Sequence, residues 1–164
     1  KIACIIGTGS VGSAIVRRLR AFDVKTVGVN RSGHPAAEFD QTQPTCRLDD
    51  LLPLADLVIC AMPLTAETAG LFDSVRLAKI KSGAVFVNVA RGKVADQQSL
   101  VEALQSGQLS GAVLDVFEEE PLPRSSPLWD MEQVILTPHN SFVGEHNGER
   151  LFRLICKNLE SFAQ

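Results

Sequence analysis

The feature that most constrains how this sequence can fold is a glycine turn within its first twelve residues. A short apolar run, Ile2–Ile6, leads into Gly7-Thr8-Gly9-Ser10-Val11-Gly12, and apolar residues then recur at helical spacing. This order predicts a strand, a tight turn and the N-terminus of a helix. Gly7 permits the sharp turn, Gly9 lets a pyrophosphate approach the backbone, and Gly12 lets the helix pack closely on the strand. Because the flanking strand and helix are both present, the motif predicts a dinucleotide site rather than a plain structural turn.

Beyond the turn, strand patterns and helix patterns alternate almost to the end of the chain. Strands are predicted at Lys25–Val29, Leu57–Ala61, Ala84–Val89, Ala112–Leu114 and Val134–Leu136, and helical segments at Arg47–Leu54, Ala66–Ala69, Asp73–Lys79 and from Asp96 to Gln105. The strands at 57–60 and 84–87 are continuously apolar, which is typical of parallel strands covered on both faces. We therefore predict an α/β fold with a doubly wound, mostly parallel sheet, formed by one domain over residues 1–164.

Two further segments complete the prediction of the fold. The stretch from Asn30 to Thr45 is the least regular and is expected to be a loop. The last segment, Gly144–Phe162, repeats apolar residues at helical spacing: Leu151, Phe152, Leu154, Ile155, Leu159 and Phe162. This spacing predicts a helix with one buried face.

The composition excludes several functional classes. The 45% hydrophobic and 21% charged content is that of an ordinary globular protein, and no apolar run is long enough to span a bilayer. The net charge of −3, with no block of lysine and arginine, argues against a nucleic-acid surface. The cysteines, Cys4, Cys46, Cys60 and Cys156, lack paired metal-ligand spacing. We therefore expect no metal site and mostly buried thiols in a reducing cytoplasm.

The residues that end the second strand bear on the choice of cofactor. Dinucleotide-binding domains that use NAD place a carboxylate about 20 residues after the glycine turn, where it holds the ribose hydroxyls. This chain has Asn30-Arg31-Ser32 there, so no carboxylate repels a 2′-phosphate. Arg31 can meet that phosphate with a planar fork of donors, and Ser32 can add a hydroxyl. The sequence therefore favours NADP, with NAD as the second choice; for Arg31 alone, a solvated turn would be the simpler interpretation.

Candidate catalytic side chains follow three strands in the second half of the chain. Arg91 follows the strand at 84–89, Asp115 and Glu120 follow the strand at 112–114, and His139 follows the strand at 134–136. The carboxyl ends of parallel strands meet at the ligand-binding edge of an open sheet. Each residue alone has an ordinary surface interpretation, but their shared position beside a cofactor turn predicts an active site.

A set of motifs in this order gives the sequence a specific resemblance. They are Gly7-Thr8-Gly9-Ser10-Val11-Gly12, Ala61-Met62-Pro63-Leu64-Thr65-Ala66-Glu67-Thr68, Asn88-Val89-Ala90-Arg91-Gly92, Leu114-Asp115-Val116-Phe117-Glu118-Glu119-Glu120-Pro121 and Thr137-Pro138-His139. Together they resemble the D-isomer-specific 2-hydroxyacid dehydrogenases over nearly the whole chain. In that family, the cofactor domain is inserted into a separate substrate, or lid, domain. The resemblance implies that this chain is the cofactor domain alone.

The resemblance also implies roles for individual residues. Arg91 would clamp the substrate carboxylate and polarise its 2-oxo group, and His139 would be the acid and base. Glu120 would be the carboxylate partner that helps His139 to keep a proton. Asp115 would bond the nicotinamide carboxamide. Cofactor-lining positions are implied at Gly7, Gly9, Ser10, Val11, Gly12, Pro63, Thr68, Val89, Ala90 and Arg91, and by position at Asn30, Arg31 and Ser32.

Two functions remain open on the sequence alone. The first is an oxidoreductase that interconverts small 2-oxo acids and D-2-hydroxy acids with NADP, and family members commonly dimerise through this domain. The second is a dinucleotide-sensing binding protein, since the family fold includes transcriptional corepressors that keep much of the same site. His34 and His146 match no family role and are expected to be surface residues.

Overall fold

In the part of the chain that the structure describes, seven parallel strands form a single sheet with helices on both sides. The structure is a computed structural model that describes residues 1–141 and 143–162. The strands are β1 (Ile2–Ile6), β2 (Lys25–Asn30), β3 (Gln41–Pro44), β4 (Leu57–Cys60), β5 (Ala84–Asn88), β6 (Leu109–Leu114) and β7 (Val134–Leu136). Their order across the sheet is β3-β2-β1-β4-β5-β6-β7, and every neighbouring pair is parallel. The prediction of a doubly wound parallel sheet is confirmed.

The strand order places a crevice beside the glycine turn. From β1 the chain winds to β2 and β3 on one side, then returns to β4 on the other side of β1. Connections on the two sides of such a reversal diverge, so ligands bind at the carboxyl ends of the strands there. The turn after β1 and the segment after β4 therefore frame the expected ligand site.

The described helices are α1 (Ser10–Leu19), α2 (Leu48–Leu51), α3 (Ser74–Lys79), α4 (Gln97–Gln105) and α5 (Asn147–Phe162). Two of them, α3 and α4, begin at an aspartate whose side chain caps the helix. Asp73 accepts from the Arg76 amide at 2.9 Å at the start of α3, and Asp96 accepts from the Ser99 amide at 2.7 Å at the start of α4. Each bond satisfies an amide that has no partner within its helix. Among the described residues, no helix has both the length and the apolar character needed to cross a membrane.

The hydrophobic core lies along the central strands. Val58 and Cys60 of β4 are completely buried, and Phe86 of β5 packs edge-on against Phe72 with ring centroids 5.2 Å apart. Both faces of these strands are covered, which explains why their sequences are continuously apolar. This rigid centre supports the strand ends that carry the candidate site.

Several segments before the last helix differ from the sequence predictions. The expected loop 30–45 contains strand β3, whose polar Gln41-Thr42-Gln43-Pro44 lies at the edge of the sheet. Residues 66–69 form hydrogen-bonded turns rather than a helix, because the Thr68 hydroxyl bonds the backbone of Pro63 and Thr65. Strand β6 starts at Leu109, three residues earlier than predicted.

The prediction that the last helix buries one face within this chain is wrong. Helix α5 has the predicted amphipathic spacing, but none of its residues is buried. Its apolar residues are 48% to 92% exposed: Leu151, Phe152, Leu154, Ile155, Leu159 and Phe162. The periodicity correctly identifies an apolar stripe, but it carries no information about which surface covers that stripe.

Candidate cofactor and active site

The glycine turn has the geometry that a bound pyrophosphate requires. Gly7 has a φ of +109°, and a Cβ added there would lie 2.5 Å from the carbonyl oxygen of Ala61. A Cβ on Gly12 would collide with the Gly7 carbonyl oxygen, so this glycine allows α1 to pack against the turn. A Cβ on Gly9, by contrast, would meet no atom within 4 Å. The backbone at Gly9 therefore faces open space that a ligand can approach.

The N-terminus of α1 supplies donors at the same place. The first hydrogen bond of this helix runs from the Ser13 amide to the Gly9 carbonyl at 2.9 Å. The amides of Ser10, Val11 and Gly12 precede that bond and form the positive end of the helix dipole. A phosphate group fits these donors without further adaptation.

A cleft of about 470 Å³ lies on the β2 side of the turn. Its walls come from the ends of β1, β2 and β4 and include the predicted cofactor residues Gly7, Gly9, Asn30, Arg31, Pro63 and Thr68. Glu67 also lines the cleft, and its pKa is lowered chiefly by a hydrogen bond from Thr65 and further by the charge of Arg31. Ser32 is exposed beside this cleft but does not line it.

The side chain of Asn30 is hydrogen-bonded to neighbouring residues of the protein. Its Nδ2 donates to the Thr8 hydroxyl at 3.1 Å and to the His34 carbonyl at 2.9 Å, and its Oδ1 accepts from the Gly33 amide at 2.7 Å. The amide thus ties the turn after β2 to the glycine turn after β1. Asn30 shapes the segment that presents Arg31, and this contribution was not visible in the sequence.

A second cleft, of about 340 Å³, lies on the β5 side of the turn. It is lined by the predicted residues Val11, Pro63, Val89, Ala90 and Arg91, together with Ala61, Met62 and Leu64. It shares residues 61–63 with the first cleft, so the two clefts meet at the glycine turn. This arrangement suits an extended two-part ligand whose middle lies on the N-terminus of α1.

Arg91 is held at the end of β5 by a buried asparagine. Asn88 is 2% exposed; its Nδ2 donates to the Arg91 carbonyl and its Oδ1 accepts from the Ala90 amide, both at 3.0 Å. The Arg91 side chain itself is exposed and donates to the Ala90 carbonyl at 2.6 Å. Asn88 therefore fixes the turn that directs Arg91, a role that sequence reasoning did not assign.

Glu120 and His139 form a hydrogen-bonded pair. The Nδ1 of His139 lies 2.7 Å from one carboxylate oxygen of Glu120, and the other oxygen accepts from the Phe117 amide at 3.0 Å. The two side chains are 38% and 36% exposed, so they remain accessible to a small molecule. With Nδ1 bonded to the carboxylate, Nε2 is the ring nitrogen left for such a molecule.

The electrostatic environment links this pair to Arg91. The pKa of the Glu120 carboxyl is lowered, chiefly by its hydrogen bond with His139 and then by the Phe117 amide. The charges of His139 and Arg91 act in the same direction, against a contribution from burial. The structure thus brings the three predicted catalytic residues into one electrostatic neighbourhood. Glu118 instead accepts from the Gln97 amide at the start of α4.

Asp115 lies beneath the loop that carries His139. It is 1% exposed and lines neither cleft. Its carboxylate accepts from the Thr137 hydroxyl at 2.5 Å and from the amides of Asn140 and Ser141 at 3.0 Å each. Burial tends to raise the pKa of Asp115, but these hydrogen bonds outweigh it and lower the pKa.

An apolar cavity of about 670 Å³ adjoins the pair. Glu120 and His139 form part of its wall, and the remainder is mostly apolar: Phe117, Pro121, Leu122, Trp129, Leu136, Thr137 and Pro138. The indole of Trp129 is 54% exposed and is fixed by a hydrogen bond to the Pro123 carbonyl at 2.9 Å. Glu120 and His139 thus face a mostly apolar cavity.

The family assignment follows from comparison with known proteins. Residues 1–141 match the sequence profile described as D-isomer specific 2-hydroxyacid dehydrogenase, NAD binding domain. The chain belongs to this family. The resemblance inferred from the ordered motifs is therefore confirmed, and it covers every strand of the sheet.

Relatives in the family show the same fold. The chain is 44% identical over 136 residues, 82% of its length and 42% of the relative, to glyoxylate/hydroxypyruvate reductase B of Citrobacter koseri. A family protein from Aeromonas salmonicida superposes with a TM-score of 0.91 at 39% identity, covering 99% of this chain and 52% of that structure. The NADPH-dependent glyoxylate/hydroxypyruvate reductase of Sinorhizobium meliloti, in complex with NADP and sulfate, superposes with a TM-score of 0.89 at 33% identity, covering 99% and 52%. The chain thus spans about half the length of these relatives.

Proposed function

We propose that this chain is the cofactor-binding domain, bearing the catalytic residues, of an oxidoreductase that interconverts 2-oxo acids and D-2-hydroxy acids and prefers NADP. The observation that carries the proposal is the Glu120–His139 pair within the field of Arg91, next to a dinucleotide turn. The names of the relatives, which are reductases of glyoxylate and hydroxypyruvate, support the same substrate class.

The residues present fit a dinucleotide. The amides of Ser10 and Val11 would hold the pyrophosphate over Gly9, and Arg31 would meet a 2′-phosphate on the ribose. Pro63, Thr68, Val89 and Ala90 would complete the walls of the two clefts. When bound, the nicotinamide would supply or accept the hydride.

The protein side chains would then handle charge and protons. Arg91 binds the substrate carboxylate and polarises the 2-oxo group through its guanidinium. In reduction, Nε2 of His139 gives a proton to the carbonyl oxygen, and in oxidation it takes that proton back from the hydroxyl. The ionised Glu120 holds the imidazole through Nδ1 and stabilises its protonated form.

The preference for NADP can be tested at Arg31. We expect calorimetry to show tighter binding of NADPH than of NADH, because no carboxylate follows β2 and Arg31 can pair with the 2′-phosphate. Arg31→Ala should weaken NADPH selectively by about 1.5–3 kcal/mol, the range for hydrogen bonds to charged groups. Arg18→Ala is the matched control, since Arg18 lies exposed on α1 and donates to the Ala14 carbonyl. Equal affinities of the unmutated chain for the two cofactors would contradict the assignment.

The whole protein would contain a second domain. We propose that a lid domain outside residues 1–164 completes the site, that the protein acts as a homodimer in the cytoplasm, and that it needs no nucleic acid or membrane. The length of the relatives, about twice that of this chain, and the uncovered apolar stripe of α5 support a further domain. Size-exclusion chromatography with light scattering of the two-domain protein tests the dimer.

Turnover decides between an enzyme and a cofactor sensor. The corepressor alternative gains no support from the relatives reported above, which are named as reductases and dehydrogenases. We expect the two-domain protein to oxidise NADPH in the presence of glyoxylate, hydroxypyruvate, pyruvate or a longer 2-oxo acid, as followed by absorbance. Dinucleotide binding without turnover of any member of this panel would favour the sensor.

A further inference from the structure

The loop that carries His139 adopts an unfavourable backbone conformation. His139 has a φ of +50°, in the left-handed region that residues with side chains rarely occupy. Its own amide bonds the Thr137 carbonyl at 3.0 Å, so the chain reverses sharply at this residue. Such a conformation persists only when the surroundings fix it, and it is frequent at functional sites.

Asp115 makes its contacts on both sides of that reversal. Before His139, the Thr137 hydroxyl donates to one carboxylate oxygen at 2.5 Å. After His139, the Asn140 amide donates to the same oxygen and the Ser141 amide to the other, each at 3.0 Å. One buried carboxylate therefore ties down the residues that flank the left-handed position.

The backbone of Asp115 is hydrogen-bonded to the residue that holds the Arg91 turn. The amide of Asp115 donates to the Asn88 carbonyl at 3.0 Å, and the Asn88 side chain holds the turn that ends in Arg91. Asn88 and Asp115 sit at or just after the carboxyl ends of the adjacent strands β5 and β6. Asn88 and Asp115 thus fix the position of the loop that carries Arg91 relative to the loop that carries His139.

We propose that Asp115 is a positioning residue for His139, in which its carboxylate holds the left-handed loop and so keeps the imidazole in reach of Glu120 and of the substrate. This inference rests on the proposed function, and it adds to the contact with the nicotinamide carboxamide that the family resemblance implies. With its side chain buried and three donors already bonded to it, the carboxylate acts on the protein loop.

Three variants of the two-domain protein separate this role from a general loss of stability. Asp115→Asn replaces an acceptor with an amide that cannot satisfy all three donors. Thr137→Val removes one donor and leaves the carboxylate intact. Thr26→Val is the control: Thr26 is fully buried and hydrogen-bonded to Asp40, but it lies near the amino end of β2, away from the site.

We expect Asp115→Asn to lower kcat by about 10²-fold, the effect of displacing a reacting group by about 1 Å. Thr137→Val should lower kcat by a smaller factor, because the two backbone donors remain. The KM for the 2-oxo acid should stay within about twofold in both variants, since Arg91 is untouched. Hydrogen exchange of the Asn140 and Ser141 amides should accelerate in Asp115→Asn and not in Thr26→Val.

A contact between Asp115 and the nicotinamide carboxamide is tested with an NADPH analogue that has an acetyl group in place of the carboxamide. The analogue lacks the amide donor that such a contact requires. If Asp115 served only the carboxamide, the unmutated enzyme would prefer NADPH to the analogue, and Asp115→Asn would lose this preference. Thr137→Val would then have the same kcat and the same preference as the unmutated enzyme. That pattern would overturn the proposal, as would unchanged exchange of the two loop amides. Absence of turnover by the unmutated enzyme would instead count against the proposed function, and the exchange measurement would still test whether Asp115 holds the loop.

Discussion

Turnover of a 2-oxo acid by the two-domain protein should fall by about 10²–10⁴-fold when His139 is replaced by alanine, the usual contribution of a general acid. The reason is that Nε2 of His139 is the proton donor of the proposed reaction, while Glu120 occupies Nδ1. Binding of NADPH should change little, because His139 lines neither cofactor cleft. Steady-state kinetics and calorimetry on the same preparation measure both quantities.

Two further variants serve as a control for the His139 result and as a test of substrate binding. His34→Ala is the control, since His34 contributes its backbone carbonyl to the Asn30 network and should leave kcat unchanged. Arg91→Ala should also raise the KM for the substrate, because its charge acts on the bound ground state as well as on the transition state. Near-normal turnover by His139→Ala would show that another group donates the proton.

The second large effect concerns the chain on its own. The described residues form two buried hydrophobic clusters, and alternate residues of β1 and β4 contribute to one or the other. We therefore expect residues 1–164 to fold and to bind dinucleotide alone. We expect little or no reduction of 2-oxo acids, because the side chains of the Glu120–His139 pair are partly exposed to water and the proposed lid domain would supply the contacts that position the substrate. Positioning alone can contribute roughly 7–11 kcal/mol to lowering a barrier.

The comparison uses NADPH absorbance with the chain and the two-domain protein at equal concentration and the same panel of 2-oxo acids. A binding measurement on the chain alone shows that any loss of turnover occurs in a folded, cofactor-binding domain. Equal rates from both proteins would refute the proposal that a second domain completes the site.

The central fold could be predicted because its signals are local. Continuous apolar runs identified β4 and β5, and Asp96 correctly marked the start of α4. Strand β3 was missed because an edge strand of polar residues has no apolar pattern. It pairs with β2, and no local rule detects such pairing. The stripe on α5 was predicted, but burial depends on a surface that the periodicity cannot specify.

For the site, the sequence located the residues but not their contacts. Arg91, Glu120 and His139 could be placed because each follows a strand whose carboxyl end had been predicted. The positioning roles of Asn88 and Thr137 were not recognised, because their hydrogen bonds depend on backbone turns and on the register between strands. For Asn88 the visible signal was a polar residue at the end of the buried strand β5, where an unpaired polar group would be costly.

Because the apolar stripe of α5 is exposed, we expect this helix and the central sheet to unfold as two separate units. A sixteen-residue helix that buries no side chain gains little from tertiary packing, and most of the stability of helices in proteins comes from such packing. We therefore expect the helix to open at a much lower free energy than the strands at the centre of the sheet. Whatever surface covers the stripe in the whole protein would join these two folding units into one.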